Sequence, residues 1–364
     1  MRTTDPLNLL KNHGGNPGSL ALALGLAEND LLDLSNAVSP FAYPLNDFPL
    51  QRLAQLPYES AQLGDVASAY YGVKPSQLVA GAGSQQFIQC LPMLRQHSTV
   101  LLPRLAYGEH AHHWQAQGHR CEYYDNAHGN THDETLHAAI EKYQPDVLVL
   151  IHPNNPTGER VSQQEVLGWH AKLPAGGQII IDEAFVDVQP EESLSPLLPV
   201  PGLIILRSAG KFFGLPGLRL GFLLADEHTV ARVASALGPW PLNSLAQWAG
   251  ETMLADEYWH KQARERLIER ALHQSACLQP LLSAFSESAS FTNFFISMQM
   301  PHKRAEWLCR ELLCQHIAVR YYHQHSNYAC VRIGLTASDR DLDRLQSTLT
   351  YLANIQEGLS SRAI

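Results

Sequence analysis

Leu203-Ile-Ile-Leu-Arg-Ser-Ala-Gly-Lys211-Phe-Phe-Gly-Leu-Pro-Gly-Leu-Arg219-Leu-Gly221 opens as an apolar run and then breaks into small residues around one lysine. Leu203 to Leu206 predicts a buried strand, and the glycines and proline beyond it predict a loop. A lysine held among Phe212, Phe213 and Leu215 loses part of its hydration, which favours the neutral, nucleophilic amine. Ser208 before it and Arg219 after it supply a hydroxyl and a guanidinium suited to a phosphate dianion. Taken alone, the stretch is equally a strand, a turn and an ordinary lysine with a buried stem, since S-x-x-K is a common pattern. The chain around it decides between the two.

Working outward, six further strands are expected at Gln77–Ala80, Thr99–Leu102, Arg120–Tyr124, Val147–Ile151, Gln178–Ile181 and Leu218–Leu224, the last three mostly β-branched or leucine runs like Leu203–Leu206. A helical pattern at Gly64–Tyr71 precedes the first of these, and others from Ser84 to about Arg95, at Tyr107–Gln117 and at Asp133–Tyr143 lie between the earlier ones. Strands that are apolar on both faces and separated by helices predict a mostly parallel, seven-stranded sheet flanked by helices. Ligands bind such α/β sheets where loops leave the C-terminal ends of the strands. After Gly238 the pattern changes to long amphipathic helices (Ser244–Leu254, Glu257–Leu282), a strand at Phe291–Met300, a helix at Ala305–His316, strands at Ala318–Tyr322 and Tyr328–Ile333, and a closing helix from Asp339 to Ile355. The expected division is therefore an N-terminal arm, 1–39, belonging to a small domain, a large domain at 40–237, and a small α+β domain at 238–364.

The chain has 364 residues and a formal charge of −9, with 26 basic against 35 acidic side chains. That excess argues against nucleic acid or an anionic membrane as the main partner. It leaves room for a small anionic substrate at a locally basic site. Six scattered cysteines without a C-x-x-C pair predict free thiols of a reducing cytoplasm. The N-terminus lacks the apolar core of a signal peptide, and no run reaches transmembrane length, so a cytoplasmic location is expected.

Three more strand-end loops carry chemistry. Gly81-Ala-Gly83-Ser84-Gln85 joins a strand to a helix, so its backbone N–H groups and the helix dipole suit a phosphate. It lacks the third glycine of a dinucleotide fingerprint, because Gln86 stands in that place, and an acidic residue about twenty positions on. Pro153-Asn154-Asn155-Pro156-Thr157-Gly158 is a turn former that would hold the Asn155 amide at the sheet edge, ready to donate to a ligand oxygen. Ile179-Ile-Ile181-Asp182 ends an apolar strand on a carboxylate, which is costly to bury unless it meets a cation or donors. An amine nucleophile, an anion cradle, a rigid amide donor and a carboxylate in want of a cation are together what pyridoxal 5′-phosphate requires.

In order and spacing, N-P-T-G, D-E-A-F, S-x-x-K and R-x-G resemble the fold type I pyridoxal-phosphate enzymes, the aspartate-aminotransferase-like class I and II family, over almost the whole chain. The resemblance implies Lys211 as the Schiff-base lysine and Asp182 as the partner of the pyridine nitrogen. It implies Asn155 on the phenolic oxygen, Gly83, Ser84, Gln85, Ser208 and Arg219 around the phosphate, and Tyr107 stacked on the ring. Arg332, in Val-Arg332-Ile-Gly-Leu, is similar to the family's clamp on the substrate carboxylate. Many relatives carry tyrosine where this chain has Phe185.

His13-Gly-Gly15-Asn16, Asp33-Leu-Ser-Asn36-Ala-Val-Ser-Pro40 and Ala69-Tyr-Tyr-Gly72 resemble, within that family, the threonine-phosphate decarboxylases of cobalamin synthesis, whose near relatives are the histidinol-phosphate aminotransferases. The resemblance implies loss of CO2 from L-threonine O-3-phosphate to give (R)-1-amino-2-propanol O-2-phosphate, with His13, Gly15, Asn16, Asn36 and Arg332 binding substrate. His13, Asn16, Arg160 and Arg320 are the candidate anchors of the substrate phosphate. An aminotransferase acting on a phosphorylated amine, and a catalytically silent protein that only binds the coenzyme, remain alternatives. Asn16 and Pro17 also read simply as the cap and first residue of a helix. Glu109 and His113 share a helix face, but no third metal ligand is evident, so a histidine-rich surface helix is expected there. A homodimer is implied by resemblance, with Tyr58 reaching toward the partner's phosphate.

Overall fold

The computed structural model describes residues 6–12, 14–126, 132–323 and 328–360. Its strands, in chain order, are β1 (Leu32–Leu34), β2 (Leu78–Gly81), β3 (Thr99–Pro103), β4 (Arg120–Tyr124), β5 (Val147–Ile151), β6 (Gln178–Asp182), β7 (Leu203–Ser208), β8 (Gly221–Leu224), β9 (Ser288–Phe291), β10 (Phe295–Pro301), β11 (Ile317–His323) and β12 (Tyr328–Gly334). The chain divides into two compact units, Ala42–Arg264 and the combination of Met1–Phe41 with Glu265–Ile364.

The larger unit is built on a seven-stranded sheet in the order β2-β8-β7-β6-β5-β3-β4. Only β8 runs against its neighbours; the other pairings are parallel. Val147–Leu150 and Leu203–Leu206 are buried throughout, as expected of strands covered by helices on both faces. In register, Ile151 lies opposite Asp182 and Asp182 opposite Leu206, so the C-terminal ends of β5, β6 and β7 come level.

Two helices of this unit, Gln163–His170 and Glu227–Leu237, have no counterpart in the sequence reading. Their start signals are nonetheless present. Ser162 and Glu165 form a reciprocal capping box, and Asp226 accepts from the Thr229 N–H. Such caps contribute about 1 kcal/mol each.

Three expectations are corrected. The strand predicted from Leu218 begins only at Gly221, because Arg219 adopts a left-handed conformation (φ 56°) that ends the extended backbone. The single strand predicted over 291–300 is the hairpin β9–β10, turned at Thr292, whose hydroxyl oxygen accepts the Phe294 and Phe295 N–H groups. The border predicted at 237/238 falls at 264/265, inside the helix Glu257–Leu282. The helix Ser244–Met253 belongs to the larger unit because Gly250 lies flat against Leu63 and Leu220.

The smaller unit carries a five-stranded sheet in the order β1-β11-β12-β10-β9. β1 joins β11 in parallel, and the other pairs are antiparallel. Its core gathers Leu278, Phe285, Met298, Tyr321, Val331 and Leu345 with Leu7, Leu10 and Leu20 of the N-terminal helices.

Candidate active site

One cavity of the larger unit is lined by Ser84, Gln85, Tyr107, Asn155, Asp182, Phe185, Ser208, Lys211 and Arg219, together with Ile151 and Ala184. All lie at strand ends or in the loops that follow them. Lys211 sits on a single helical turn, Ala209–Phe212, placed directly after Ser208 ends β7. Its aromatic neighbour is Phe185, with Nζ 5.6 Å from the ring centroid. The expected wall of Phe212 and Phe213 faces elsewhere: both are buried, and Phe213 stacks on Trp259 at 5.3 Å.

Asp182 ends β6 and is buried. The Ala184 N–H donates to its Oδ1 at 3.1 Å, and His110 Nε2 lies 3.1 Å from Oδ2. A buried carboxylate is tolerable only with such donors. His110 belongs to the helix Glu109–Ala116, predicted as a histidine-rich surface element. The correction has a clear cause. Three residues beyond Tyr107, this histidine points inward and is 3% exposed, while Glu109 and His113 bond each other at 3.2 Å.

The anion cradle is assembled from close backbone approaches. Gly83, at φ 80°, caps the helix Ser84–Met93, and a Cβ there would stand 2.5 Å from Arg219 Nη2. A Cβ on Gly221 would strike the Ser84 nitrogen. Arg219 donates to the Pro216 and Ala82 carbonyls at 3.1 and 3.3 Å, laying its guanidinium across the loop before Ser84. A helix N-terminus, two serines and a guanidinium thus border one cavity, which also holds the buried carboxylate, an amide and a lysine. That donor set, and a loop in which glycine alone leaves room, fit pyridoxal phosphate.

Asn155 is held by its neighbours. Asn154 Nδ2 donates to Leu105 O at 3.0 Å and to Thr157 Oγ1 at 2.6 Å, and the Thr157 hydroxyl donates to Glu159 Oε2 at 2.9 Å. Burial pushes the Glu159 carboxyl up to about 7, against the opposing pull of hydrogen bonds from Thr157 and Asn126. A buried ionic cluster, also absent from the sequence reading, ties the strand ends together: Arg207 reaches Glu183 at 2.9 Å and Asp187 at 2.8 Å, and Tyr70 donates to Asp187 at 2.9 Å. Arg207 and Glu183 each adjoin a cavity residue in the chain, a signal hidden by the apolar run around them.

Arg160 lies on a different cavity, with His152 and Glu191, and is engaged by Glu192 at 2.6 Å and Gln189 at 3.0 Å. Its candidacy as a phosphate anchor is withdrawn. Tyr58 is exposed, edge-on to Trp240 at 5.8 Å, and borders an apolar cavity apart from Lys211.

The remaining candidates belong to the smaller unit. The Gly15 N–H donates to Ser35 Oγ at 2.9 Å, and Asn16 caps the helix Pro17–Leu24 by accepting the Ser19 N–H at 3.1 Å. Gly334 passes so close to the Asn36 carbonyl that a Cβ would collide with it. Arg332 donates to Ser35 O at 2.6 Å and to the Tyr322 hydroxyl at 3.0 Å. Arg320 stands directly opposite Arg332 in the β11–β12 register and donates to Leu10 O at 2.7 Å. His13 lies outside the described residues.

An α/β sheet of this order with this cavity at its C-terminal edge defines a fold type I pyridoxal-phosphate enzyme. The sequence profile described as Aminotransferase class I and II matches residues 24–349, and the chain belongs to that family. It is 35% identical over 343 residues to a threonine-phosphate decarboxylase of Pseudomonas aeruginosa, covering 93% of this chain and 96% of the relative. It is 31% identical over 281 residues to histidinol-phosphate aminotransferase 1 of Carboxydothermus hydrogenoformans, covering 74% and 77%. The crystal structure of histidinol-phosphate aminotransferase from Sinorhizobium meliloti in complex with pyridoxal-5′-phosphate superposes with a TM-score of 0.77 at 18% identity, over 97% and 98% of the two chains. Pyridoxal 5′-phosphate is the coenzyme. Among the described residues no helix is long and apolar enough to cross a membrane.

Proposed function

We propose that the protein decarboxylates L-threonine O-3-phosphate to (R)-1-amino-2-propanol O-2-phosphate, the amino alcohol phosphate of cobalamin synthesis. The geometric observation that carries this reading is the Arg320–Arg332 pair, two buried guanidinium groups abreast on one face of the small sheet. Two guanidinium groups side by side, both stacked on the Tyr322 ring, suit a ligand that carries two anionic groups. Threonine phosphate carries a carboxylate and a phosphate, whereas histidinol phosphate carries only the phosphate. The 35% identity to a threonine-phosphate decarboxylase supports the same choice.

In this reading Gly83, Ser84 and Gln85 offer backbone N–H groups to the coenzyme phosphate, and Ser208 and Arg219 complete the cradle. Asp182 would face the pyridine nitrogen, Asn155 would donate to the phenolic oxygen, and Tyr107 would cover the ring. The coenzyme, when bound, supplies an electron sink for the pair left at Cα. Lys211 would hold the coenzyme through Nζ; with that bond displaced by the substrate's own amine, the freed Nζ would deliver the proton that takes the place of the departing CO2 at Cα. His13, Gly15, Asn16 and Asn36 would complete the substrate site with Arg332, and Arg320 would share the phosphate.

A homodimer belongs to this proposal, supported by the exposed Leu50, Leu53, Leu56 and Tyr58 beside Trp240. Six free thiols fit the reducing cytoplasm.

The second reading is an aminotransferase for histidinol phosphate, favoured by the 31% identity to such an enzyme. There Lys211 would carry the proton from Cα to the coenzyme's carbonyl carbon, and a 2-oxo acid must follow. Incubating the holoenzyme with each phosphate ester, with and without 2-oxoglutarate, separates the two. CO2 released without the oxo acid is expected; glutamate formed from histidinol phosphate would overturn the decarboxylase. Lys211→Ala is expected to abolish borohydride trapping of the coenzyme on its peptide.

A further inference from the structure

A hydrogen-bonded chain runs from the cavity wall to the protein surface. The Tyr107 hydroxyl donates to Gln85 Oε1 at 3.1 Å, and Gln85 Nε2 donates to Glu109 Oε2 at 2.7 Å. The same carboxylate oxygen lies 3.2 Å from His113 Nε2, one helical turn along. Glu109 and His113 are about four-fifths buried, so the links are partly shielded from water.

The order of donors in this chain is dictated by its far end. An ionised carboxylate only accepts, so it takes the amide N–H side of Gln85 and turns the amide oxygen toward Tyr107. The Tyr107 hydroxyl then serves that oxygen as a donor. A neutral group at 109 would leave the longer 3.4 Å contact of Gln85 Nε2 with His113 Nε2 to oppose a flip that presents the NH2 to the phenol oxygen. The tyrosine ring, tied at its far end, cannot swing about its side-chain torsions without breaking a bond on a fixed acceptor. The helix Glu109–Ala116 thereby does two tasks within its first turns, since its next residue, His110, meets Asp182.

We propose that Glu109, braced by His113, is a positioning residue for the coenzyme: it sets the Gln85 amide and so pins the Tyr107 ring as a fixed plate over the site. The proposal rests on Tyr107 covering the coenzyme ring and is independent of which phosphate ester is the substrate.

The test is a double-mutant cycle on coenzyme dissociation from the holoenzyme, read by equilibrium dialysis and coenzyme absorbance. Glu109→Ala and Tyr107→Phe are each expected to weaken coenzyme binding about 3- to 10-fold, the loss of one hydrogen bond on a partly buried group. In the Tyr107→Phe background, Glu109→Ala should change binding less than about 2-fold, because the bond it acts through is already gone. A merely structural glutamate would weaken both backgrounds by the same factor, and that result overturns the proposal, as does an unchanged dissociation constant in Glu109→Ala alone. Should Glu109→Ala fail to fold, Glu109→Gln keeps the shape and removes the charge that orients the amide; the same cycle applies. Borohydride trapping on the Lys211 peptide of the parent keeps the two layers apart. A parent without the adduct defeats the coenzyme site itself, whereas a trapped parent with multiplicative effects defeats only the role given to Glu109.

Discussion

Glu159, just after the turn that carries Asn155, holds its proton up to about pH 7 in the folded chain, against an ordinary value of 4.5. Below 4.5 both the folded and unfolded chains are protonated there. Between 4.5 and 7 the unfolded chain releases the proton while the folded one keeps it, so rising pH favours unfolding through this window. The stability present at low pH and lost by neutrality amounts to about 3 kcal/mol at most, from 1.36 kcal/mol per pH unit. Glu159→Gln should flatten that slope while preserving an acceptor for Thr157. Urea titrations of both proteins at pH 5 and pH 7.5 check it; parallel pH profiles would refute the assignment. Thr157 and Asn154 connect Glu159 to the turn that carries Asn155.

At the scale of elements, the cradle depends on two backbones touching: the start of β8 and the first turn of the helix Ser84–Met93. Gly221→Ala places a methyl against the Ser84 nitrogen and must push that helix start away. We expect a loss of about 1–3 kcal/mol in stability, as for other overpacked sites, and at least 10-fold weaker coenzyme binding. A calorimetric melt and a dialysis titration read the two separately, and a variant that retains coenzyme like the parent would contradict the cradle.

Much of this was legible in the chain. Lys211, Asp182 and Asn155 announce themselves because each follows an apolar run, Leu203–Leu206, Ile179–Ile181 or Val147–Ile151, where a polar group is costly without purpose. β5 was readable to the residue for the same reason. His110 was not, since its neighbours Glu109, His112 and His113 average out any inward face over so short a helix. Arg207 was hidden in the opposite way, as one charge inside an apolar strand whose partners Glu183 and Asp187 lie twenty and more positions upstream. The break at Arg219 was missed because a left-handed arginine has no propensity signal; it follows from the guanidinium's contacts.

For the whole molecule, the exposed Leu50, Leu53, Leu56 and Tyr58 form the surface that the proposed homodimer would cover. Replacing Leu53 and Leu56 together by glutamate should shift sedimentation from dimer to monomer at micromolar protein, while circular dichroism stays that of the parent. A parent that sediments as a monomer would remove the homodimer from the proposal.

The two units also differ in how the ribosome delivers them. Ala42–Arg264 is one uninterrupted stretch, complete as soon as it leaves the exit tunnel, whereas Leu32 must wait for Ile317 before β1 has its neighbour. During that interval the early strand is an unmated edge in a crowded cell, and its three-residue length keeps the hazard of wrong pairing small. Arrested nascent chains ending near residue 310 should therefore yield a protease-resistant fragment spanning 42–264 while their first forty residues are digested. A strand made long afterwards is what finally gives the early one shelter.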